Sequence, residues 1–299
     1  MNNKILQLIK EKKLLSSVIK HIDLLLLERV NPEKYLIKLG REFLGYDMDL
    51  KNPRTLNEKL NWYKINYKNS LMTTCVDKIA VDDYIFKKGL GSILLTKYKI
   101  WSSPKQINLD ELPDSFAIKT NHDSGGVIVC KSKEDFTEKK RNKLIKAFRK
   151  NYSNHFYEWP YSKVHRKVFA EELIKTNNGH SPIDYKFYCS KGKVKFFLVC
   201  TERDINVKID FIDLAGHNLM VERTHENSGN DCVITNEIKE MIRIAEVLSS
   251  DFPFVRVDLY CNNGEINFGE LTFFPGGGME KFTKYEDDLK LGNMLDFIE

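Results

Sequence analysis

The stretch of this sequence that most limits its fold is its last pair of strands. Phe254–Tyr260 and Glu265–Phe274 are rich in β-branched, aromatic and aliphatic residues and are joined by Cys261-Asn262-Asn263-Gly264. An Asn-Gly step between two such runs signals a tight hairpin, because its turn residues need φ > 0. Strand alternation puts Arg256, Asp258 and Tyr260 on one face and Val255, Val257 and Leu259 on the other. Across the turn it puts Phe268, Glu270 and Thr272 on one face. Asp258 and Glu270 then converge. Facing carboxylates repel unless each finds solvent or a lysine, or a cation sits between them, and Mg²⁺ is the cation such oxygen ligands suit.

A second stretch, Ala117-Ile118-Lys119-Thr120-Asn121-His122-Asp123-Ser124-Gly125-Gly126, ends a strand on a lysine and runs into a flexible turn. A point cation beside a nest of backbone N–H groups is what a polyphosphate needs. The spacing is not that of a P-loop. His122 and Asp123 read as turn formers, since no nucleophile elbow accompanies them.

Around these stretches the sequence alternates helices and hairpins. Residues 1–50 are expected to be helical, and an amphipathic segment near the start leaves peripheral association with an anionic membrane open beside plain packing. Thr55 and Glu58 have capping-box spacing, and one helix is expected from Val76 to Lys88. Strands are expected at Ile93–Ile100, Ser115–Lys119, Val127–Cys130, Val168–Ile174, Tyr185–Cys189, Val194–Cys200 and Asn206–Leu214, with helices at Lys133–Asn151 and Ile234–Leu248. This pattern predicts an α+β fold rather than a doubly wound parallel sheet. At 299 residues the chain has room for about two domains. The +5 net charge does not call for a nucleic-acid partner. Six scattered cysteines without a CxxC fit reduced thiols in a cytoplasm, and no run of about 20 apolar residues suggests a membrane span.

In order along the chain come Asp77-Lys78, Lys119 before the glycine turn, Glu171-Glu172-Leu173, Asp184, Arg256-x-Asp258 and Glu270-x-Thr272. This series resembles the ATP-grasp superfamily. NPRTLNEKL, LPDSFAIKTNHDSGG, DYKFYCSKGKV, VRVDLY and FGELTFFPGGG are similar to its TupA-like branch, associated with teichuronopeptide and other surface-polysaccharide synthesis. The resemblance spans about residues 35–299. It implies two α+β lobes clasping ATP: a helical region 1–75, a small lobe 76–172 with the glycine loop, and a C-terminal lobe 173–299 with the metal site. It assigns Lys78 and Lys119 to the ATP phosphates and Ser124, Gly125 and Gly126 to the loop over them. Glu171, Glu172 and Leu173 fall on the adenine segment, Asp184 on the ribose, and Lys186 on the same strand face as Asp184. Asp258, Glu270 and Thr272 fall on the magnesium site, and Arg256, with Lys119, beside the transferred phosphate.

Two positions depart from the family pattern. Thr272 stands where many members have asparagine, and Val81-Asp82-Asp83 lacks an arginine usual after Asp-Lys. The family's preceding βαβ domain also has no counterpart before Asp77.

The resemblance implies an ATP- and magnesium-dependent ligase. A carboxylate takes the γ-phosphate as an acyl phosphate, and an amine displaces the phosphate. A uronic-acid saccharide and an amino acid are the expected pair, in either role. A glycosyltransferase in capsule synthesis and a non-catalytic module of that pathway are the rivals. The first lacks a DxD motif. The second is favoured if the two departures mark lost activity. The basic run Lys131–Lys150 reads as a solvated helix face or an anionic-polymer contact. His155, Trp159 and Tyr161 read as packing residues or sugar-stacking residues.

Overall fold

The structure is a computed structural model that describes residues 27–154, 156–174, 176 and 181–298. The amphipathic segment expected near the N-terminus lies mostly outside the described residues, as does His155. Among the described residues, no helix is long and apolar enough to cross a membrane.

Two antiparallel sheets organise the chain. The smaller contains β1 (Lys97–Trp101), β2 (Phe116–Thr120), β3 (Val127–Cys130) and β4 (Val168–Glu171) in the order β1-β4-β2-β3. Phe116, Ile118, Val168 and Ala170 point to one face, where they pack with Leu144 of the helix Glu138–Arg149. Alternation turns Lys119 and Glu171 to the opposite face.

The larger sheet contains β5 (Ile183–Ser190), β6 (Lys193–Thr201), β7 (Lys208–Ile212), β8 (Phe254–Asn262) and β9 (Glu265–Thr272) in the order β7-β6-β5-β8-β9. The helix Asn236–Ser249 lies on one face, burying Ile238, Met241, Ile244, Ala245 and Leu248 against it. The other face is covered at one end by the helix Leu56–Asn66, whose Tyr63 ring lies edge-on to Phe254 and Phe274. The expected capping box is present: Thr55 accepts from the Glu58 N–H at 3.1 Å, and Glu58 accepts from the Thr55 N–H at 2.9 Å. The helices Leu56–Asn66, Ser70–Val76 and Val81–Lys87 therefore share the main core of the larger sheet, whereas Pro32–Phe43 packs in a separate cluster with Met48, Leu50 and Met279.

Several expected boundaries move. The helix expected from Val76 to Lys88 is two helices, Ser70–Val76 and Val81–Lys87. They are separated by a turn in which Asp77 Oδ1 accepts from the Ile79 N–H at 2.9 Å; such a side-chain acceptor competes with helix continuation. The strand expected at Ile93–Ile100 begins only at Lys97, after a 3₁₀ turn at Gly91–Ile93. β4 stops at Glu171 rather than Ile174, and the Glu172 N–H bonds to the Thr96 carbonyl at 2.9 Å.

The final hairpin closes on Asn263 and Gly264, both at positive φ (52° and 81°). Its register pairs Asp258 with Glu270, but the next pair is Leu259 with Phe268, leaving Gly269 as a bulge. Simple alternation had put Phe268 with Glu270. The bulge instead sends Phe268 into the core with Leu259 and leaves Glu270 facing Asp258. Only glycine fits there: a Cβ on residue 269 would lie 2.9 Å from the Asp258 carbonyl and 3.2 Å from the Tyr260 ring. Gly269→Ala is expected to destabilise the protein by about 1–3 kcal/mol through this overpacking. Urea unfolding of the variant against wild type measures it, and an unchanged midpoint would show that the bulge tolerates a side chain.

Candidate active site

The open face of the larger sheet carries three rows of polar side chains. The register of β5, β8 and β9 aligns Asp184 with Tyr260 and Asn267, Lys186 with Asp258 and Glu270, and Tyr188 with Arg256 and Thr272. Asp258, 1% exposed, sits at the centre. Arg256 grips it with Nε to Oδ1 at 2.7 Å and Nη2 to Oδ2 at 2.7 Å, and Lys186 donates to Oδ2 at 2.5 Å. Burial pushes the Asp258 carboxyl up, against the opposing pull of Arg256 and Lys186.

Glu270 is the freer carboxylate, its side chain 35% exposed. Thr272 donates to its Oε1 at 2.9 Å, and Lys78 Nζ lies 3.8 Å from its Oε2. Burial would raise its pKa, but Lys78, Arg256, Lys186 and the Thr272 hydroxyl outweigh that and hold it at about 2. The Thr272 hydroxyl thus bears directly on Glu270. It also accepts from Arg256 Nη2 at 3.1 Å.

The small sheet supplies the opposite wall. Lys119 pairs with Glu171 at the end of β4. Burial works against its charge, but Glu171, Tyr260 and Glu270 prevail and raise its pKa. Tyr260 and Glu270 belong to the other sheet, so Lys119 faces the hairpin across the cleft. Lys78 donates to the Asp123 carbonyl at 2.6 Å, which holds it against the glycine turn. That turn is positioned by Asn121, which donates to Asp77 Oδ1 and to the His165 carbonyl, both at 2.9 Å. Ser124 and Gly125 stand exposed at the tip and Gly126 is buried at its base. Gly125 has φ +93° with open space where a Cβ would be.

At the other end of the cleft, Glu172 and Leu173 line a cavity of about 400 Å³ with Leu94, Tyr98, Asn262 and Asn267. Glu171 does not join them. Its backbone lies in the ladder between β1 and β2, and its side chain is taken by Lys119. Asp184 is 2% exposed: its Oδ2 is 2.7 Å from Lys186 and 3.5 Å from Arg203, and its buried Oδ1 has no partner among the described residues. Asp82 pairs with Lys97 at 2.7 Å.

Among the described residues no group of three or more His, Cys, Asp or Glu side chains gathers to hold a metal alone. Asp258 and Glu270, opposed in register with Thr272 beside them, nevertheless offer hard oxygen donors of the kind Mg²⁺ takes when it keeps water and phosphate oxygens as its remaining ligands. The residues fit such an ion.

Sequence reasoning overlooked two buried charges next to this cluster. Lys64 donates to Asn61 Oδ1 at 3.0 Å and to the Gly277 carbonyl, and burial, opposed by Glu158, lowers its pKa to about 7. Glu158 is buried in the segment after the helix Glu138–Arg149, and burial, opposed by Lys64, pushes it up to about 8. Neither carries a motif; their partners come from distant parts of the chain. Trp159 and Tyr161 pack against the main core, in line with the packing reading.

Residues 58–296 match the family model described as TupA-like ATPgrasp. No curated protein matches the sequence. Among solved structures, the chain is similar to D-alanine–D-alanine ligase from Bacillus anthracis complexed with ATP (14% identity, 67% of this chain and 53% of that one, TM-score 0.38). It is also similar to D-alanine–D-alanine ligase from Helicobacter pylori (15%, 75% and 60%, 0.42) and to L-amino acid ligase from Bacillus licheniformis (11%, 84% and 57%, 0.45). The chain spans 53 to 60% of the length of these proteins.

Glu158 gives the site a pH signature. Between its ordinary 4.5 and about 8 the folded protein holds a proton that the unfolded chain has released, so this group's contribution to stability is lost as pH rises through that window. Lys64 acts in the opposite sense above about 7, where the unfolded chain binds the extra proton. Glu158→Gln is therefore expected to flatten the fall in stability between pH 5 and 7 by up to roughly 1.4 kcal/mol per pH unit. Denaturation midpoints at pH 5, 6 and 7 provide the measurement, and parallel curves for the two proteins would count against a raised pKa at Glu158.

Proposed function

The chain belongs to the TupA-like ATP-grasp family, and from that premise we propose that it is an ATP- and Mg²⁺-dependent carboxylate–amine ligase working through an acyl phosphate. The observation that carries this reading is the meeting of Lys78, Lys119, Lys186 and Arg256 with Asp258 and Glu270 in one cleft between two sheets. Cations opposite paired carboxylates suit a magnesium-bound polyphosphate and little else of comparable charge density.

In this reading the nucleotide base enters the cavity beside Glu172 and Leu173. The ribose hydroxyls donate to the unpartnered Oδ1 of Asp184. The phosphates lie under the turn Ser124-Gly125-Gly126 and are neutralised by Lys78 and Lys119. Asp258 and Glu270, with Thr272 beside them, would hold the metal, which when bound draws charge from the phosphate oxygens. Lys186 and Arg256, now paired with Asp258, can turn to phosphate oxygens instead. Arg256 then stands where charge builds on the transferred group. The substrate carboxylate attacks the γ-phosphorus in line as the bond to the β,γ-bridging oxygen breaks and ADP leaves, and an amine next attacks the acyl carbon and releases phosphate. No covalent intermediate with a protein side chain is required. The pairing of a uronic-acid saccharide with an amino acid remains the substrate reading that the family association suggests.

A thermal-shift titration tests the nucleotide step. Mg-ATP at 100 times its Kd is expected to stabilise the protein by about 2.7 kcal/mol. Lys119→Ala and Glu270→Ala should each weaken Mg-ATP by about tenfold or more, the worth of one charge-assisted contact. A nucleotide-sugar shift in the absence of any Mg-ATP shift would instead favour a glycosyltransferase. ADP release that requires both an added carboxylate and an added amine separates a ligase from a non-catalytic module.

A further inference from the structure

The basic run Lys131–Lys150 has no part in the site described above, yet it holds the chain's excess charge. Nine basic residues stand in it against three acidic ones, an excess of six where the whole chain carries +5. The rest of the protein is therefore close to neutral. In the helix Glu138–Arg149 and its C-cap, Lys139, Lys143, Lys146 and Lys150 recur at intervals of four, three and four. At about 3.6 residues per turn these intervals put all four on one face, spread over about 16 Å of helix. The opposite face is the one that Leu144, 1% exposed, and Phe148 turn to the small sheet's core. The four lysines thus point into solvent, and all are exposed. Elsewhere on the surface Lys88 pairs with Asp251 at 2.8 Å, Lys193 with Glu246 at 2.9 Å and Lys208 with Glu202 at 2.9 Å. On this helix Arg141 lies 3.6 Å from Glu138, but none of the four lysines has a carboxylate partner among the described residues. Like charges three or four residues apart on a helix repel and weaken it. A bound polyanion would remove that repulsion.

The stripe ends at the glycine turn. There the exposed Arg166 donates to the Phe148 and Arg149 carbonyls at 3.3 and 3.0 Å and adds a further cation. Phe148 meets the ring of His122 edge-on at 5.9 Å, and the Lys167 N–H donates to Asn121 Oδ1 at 2.7 Å. His122 and Asn121 belong to the turn whose tip, Ser124 and Gly125, is exposed. The form of the stripe selects among polyanions. Cations spread over about 16 Å outreach a single phosphate or a single sugar acid. A helix that lies on a membrane needs an apolar face for the lipid, and this helix has its apolar face buried on the sheet. Single-stranded nucleic acids are held by aromatic side chains on which bases stack, and from Lys139 to Lys150 the aromatic residue is Phe148, turned inward. A flexible chain of regularly spaced anionic units, bound by charge, fits what remains.

We propose that Lys139, Lys143, Lys146 and Lys150 form a docking track for an acidic polysaccharide whose sugar units carry carboxylates, and that the acceptor is accordingly a polymer, held along the helix while one unit reaches the cleft. The choice of carboxylate rests on the ligase reading above, in which such a group takes the γ-phosphate; the binding surface itself does not depend on it. On this inference the cleft need not grip the whole acceptor. Charge on the helix supplies affinity, and the residues around Arg256 act on whichever unit arrives.

The test is a fluorescence-anisotropy titration of labelled polygalacturonate with the full chain. Binding is expected, with an affinity that falls at least tenfold between about 50 and 200 mM salt. Monomeric galacturonate and neutral dextran should fail to compete at the same concentration of sugar units. The combined substitutions Lys139→Ser, Lys143→Ser and Lys146→Ser should weaken binding at least tenfold, whereas Lys→Arg at the same positions should preserve it. Removing the same charge from exposed positions elsewhere, with Lys34→Ser, Lys239→Ser and Lys284→Ser, should change it less than twofold. Mg-ATP thermal shifts of all variants are expected to match wild type, which also shows that they fold. Equal weakening by the two sets of serine substitutions, or tighter binding of poly-L-glutamate, a single-stranded oligonucleotide or phosphatidylglycerol vesicles than of polygalacturonate, overturns the inference. A Mg-ATP shift without polygalacturonate binding overturns the track and leaves the ligase reading standing. Polygalacturonate binding without any Mg-ATP shift supports the track and removes the ligase reading.

Discussion

The site depends on one buried ion pair. Asp258 lies on β8, between β5 and β9, held by the two-point grip of Arg256 and by Lys186 from β5. Removing one member of such a group leaves a charge stranded in the interior, which typically costs about 3–5 kcal/mol. The arrangement persists because three strands place its members in register. Lys186 lies beside Asp258 across β5 and β8, and Glu270 lies beside it across β8 and β9. The polar rows are a product of pleat and register, and the helix Asn236–Ser249 on the far face keeps that register fixed by burying the alternate residues.

Around this centre, the two sheets divide the work. The larger contributes carboxylates and the cations that neutralise them; the smaller contributes Lys119 and the turn that Asn121 positions. Their charges act on one another across the cleft, so each sheet shifts the protonation of the other's groups. Glu270 is held ionised chiefly by Lys78, which belongs to neither sheet but to the break between two short helices. The helical N-terminal region, joined to the larger sheet's core through Tyr63, also sends Lys64 towards Glu158.

Much of this was legible in the sequence. The Asn-Asn-Gly turn located the hairpin, and alternation brought Asp258 and Glu270 together; the order of motifs named Lys78, Lys119, Asp184, Lys186 and Arg256. Less legible were features with no local signature. Counting by twos misplaced Phe268, because a bulge at Gly269 depends on how closely the neighbouring strand approaches. Glu171, grouped with Glu172 and Leu173 by motif order, has its side chain taken by Lys119 on the adjacent strand, so Glu172 and Leu173 line the cavity without it.

The sequence by itself determined which segments become strands and helices, where the hairpins turn, and which family the chain resembles, because these follow from local periodicity, turn chemistry and motif order. Only the tertiary structure decided the electrostatics. Whether a carboxyl is held ionised, as at Glu270, or kept protonated to about pH 8, as at Glu158, depends on burial and on charges brought in from distant parts of the chain. Coulomb interactions and desolvation act through space, over a few ångströms, and sequence separation carries almost no information about those distances.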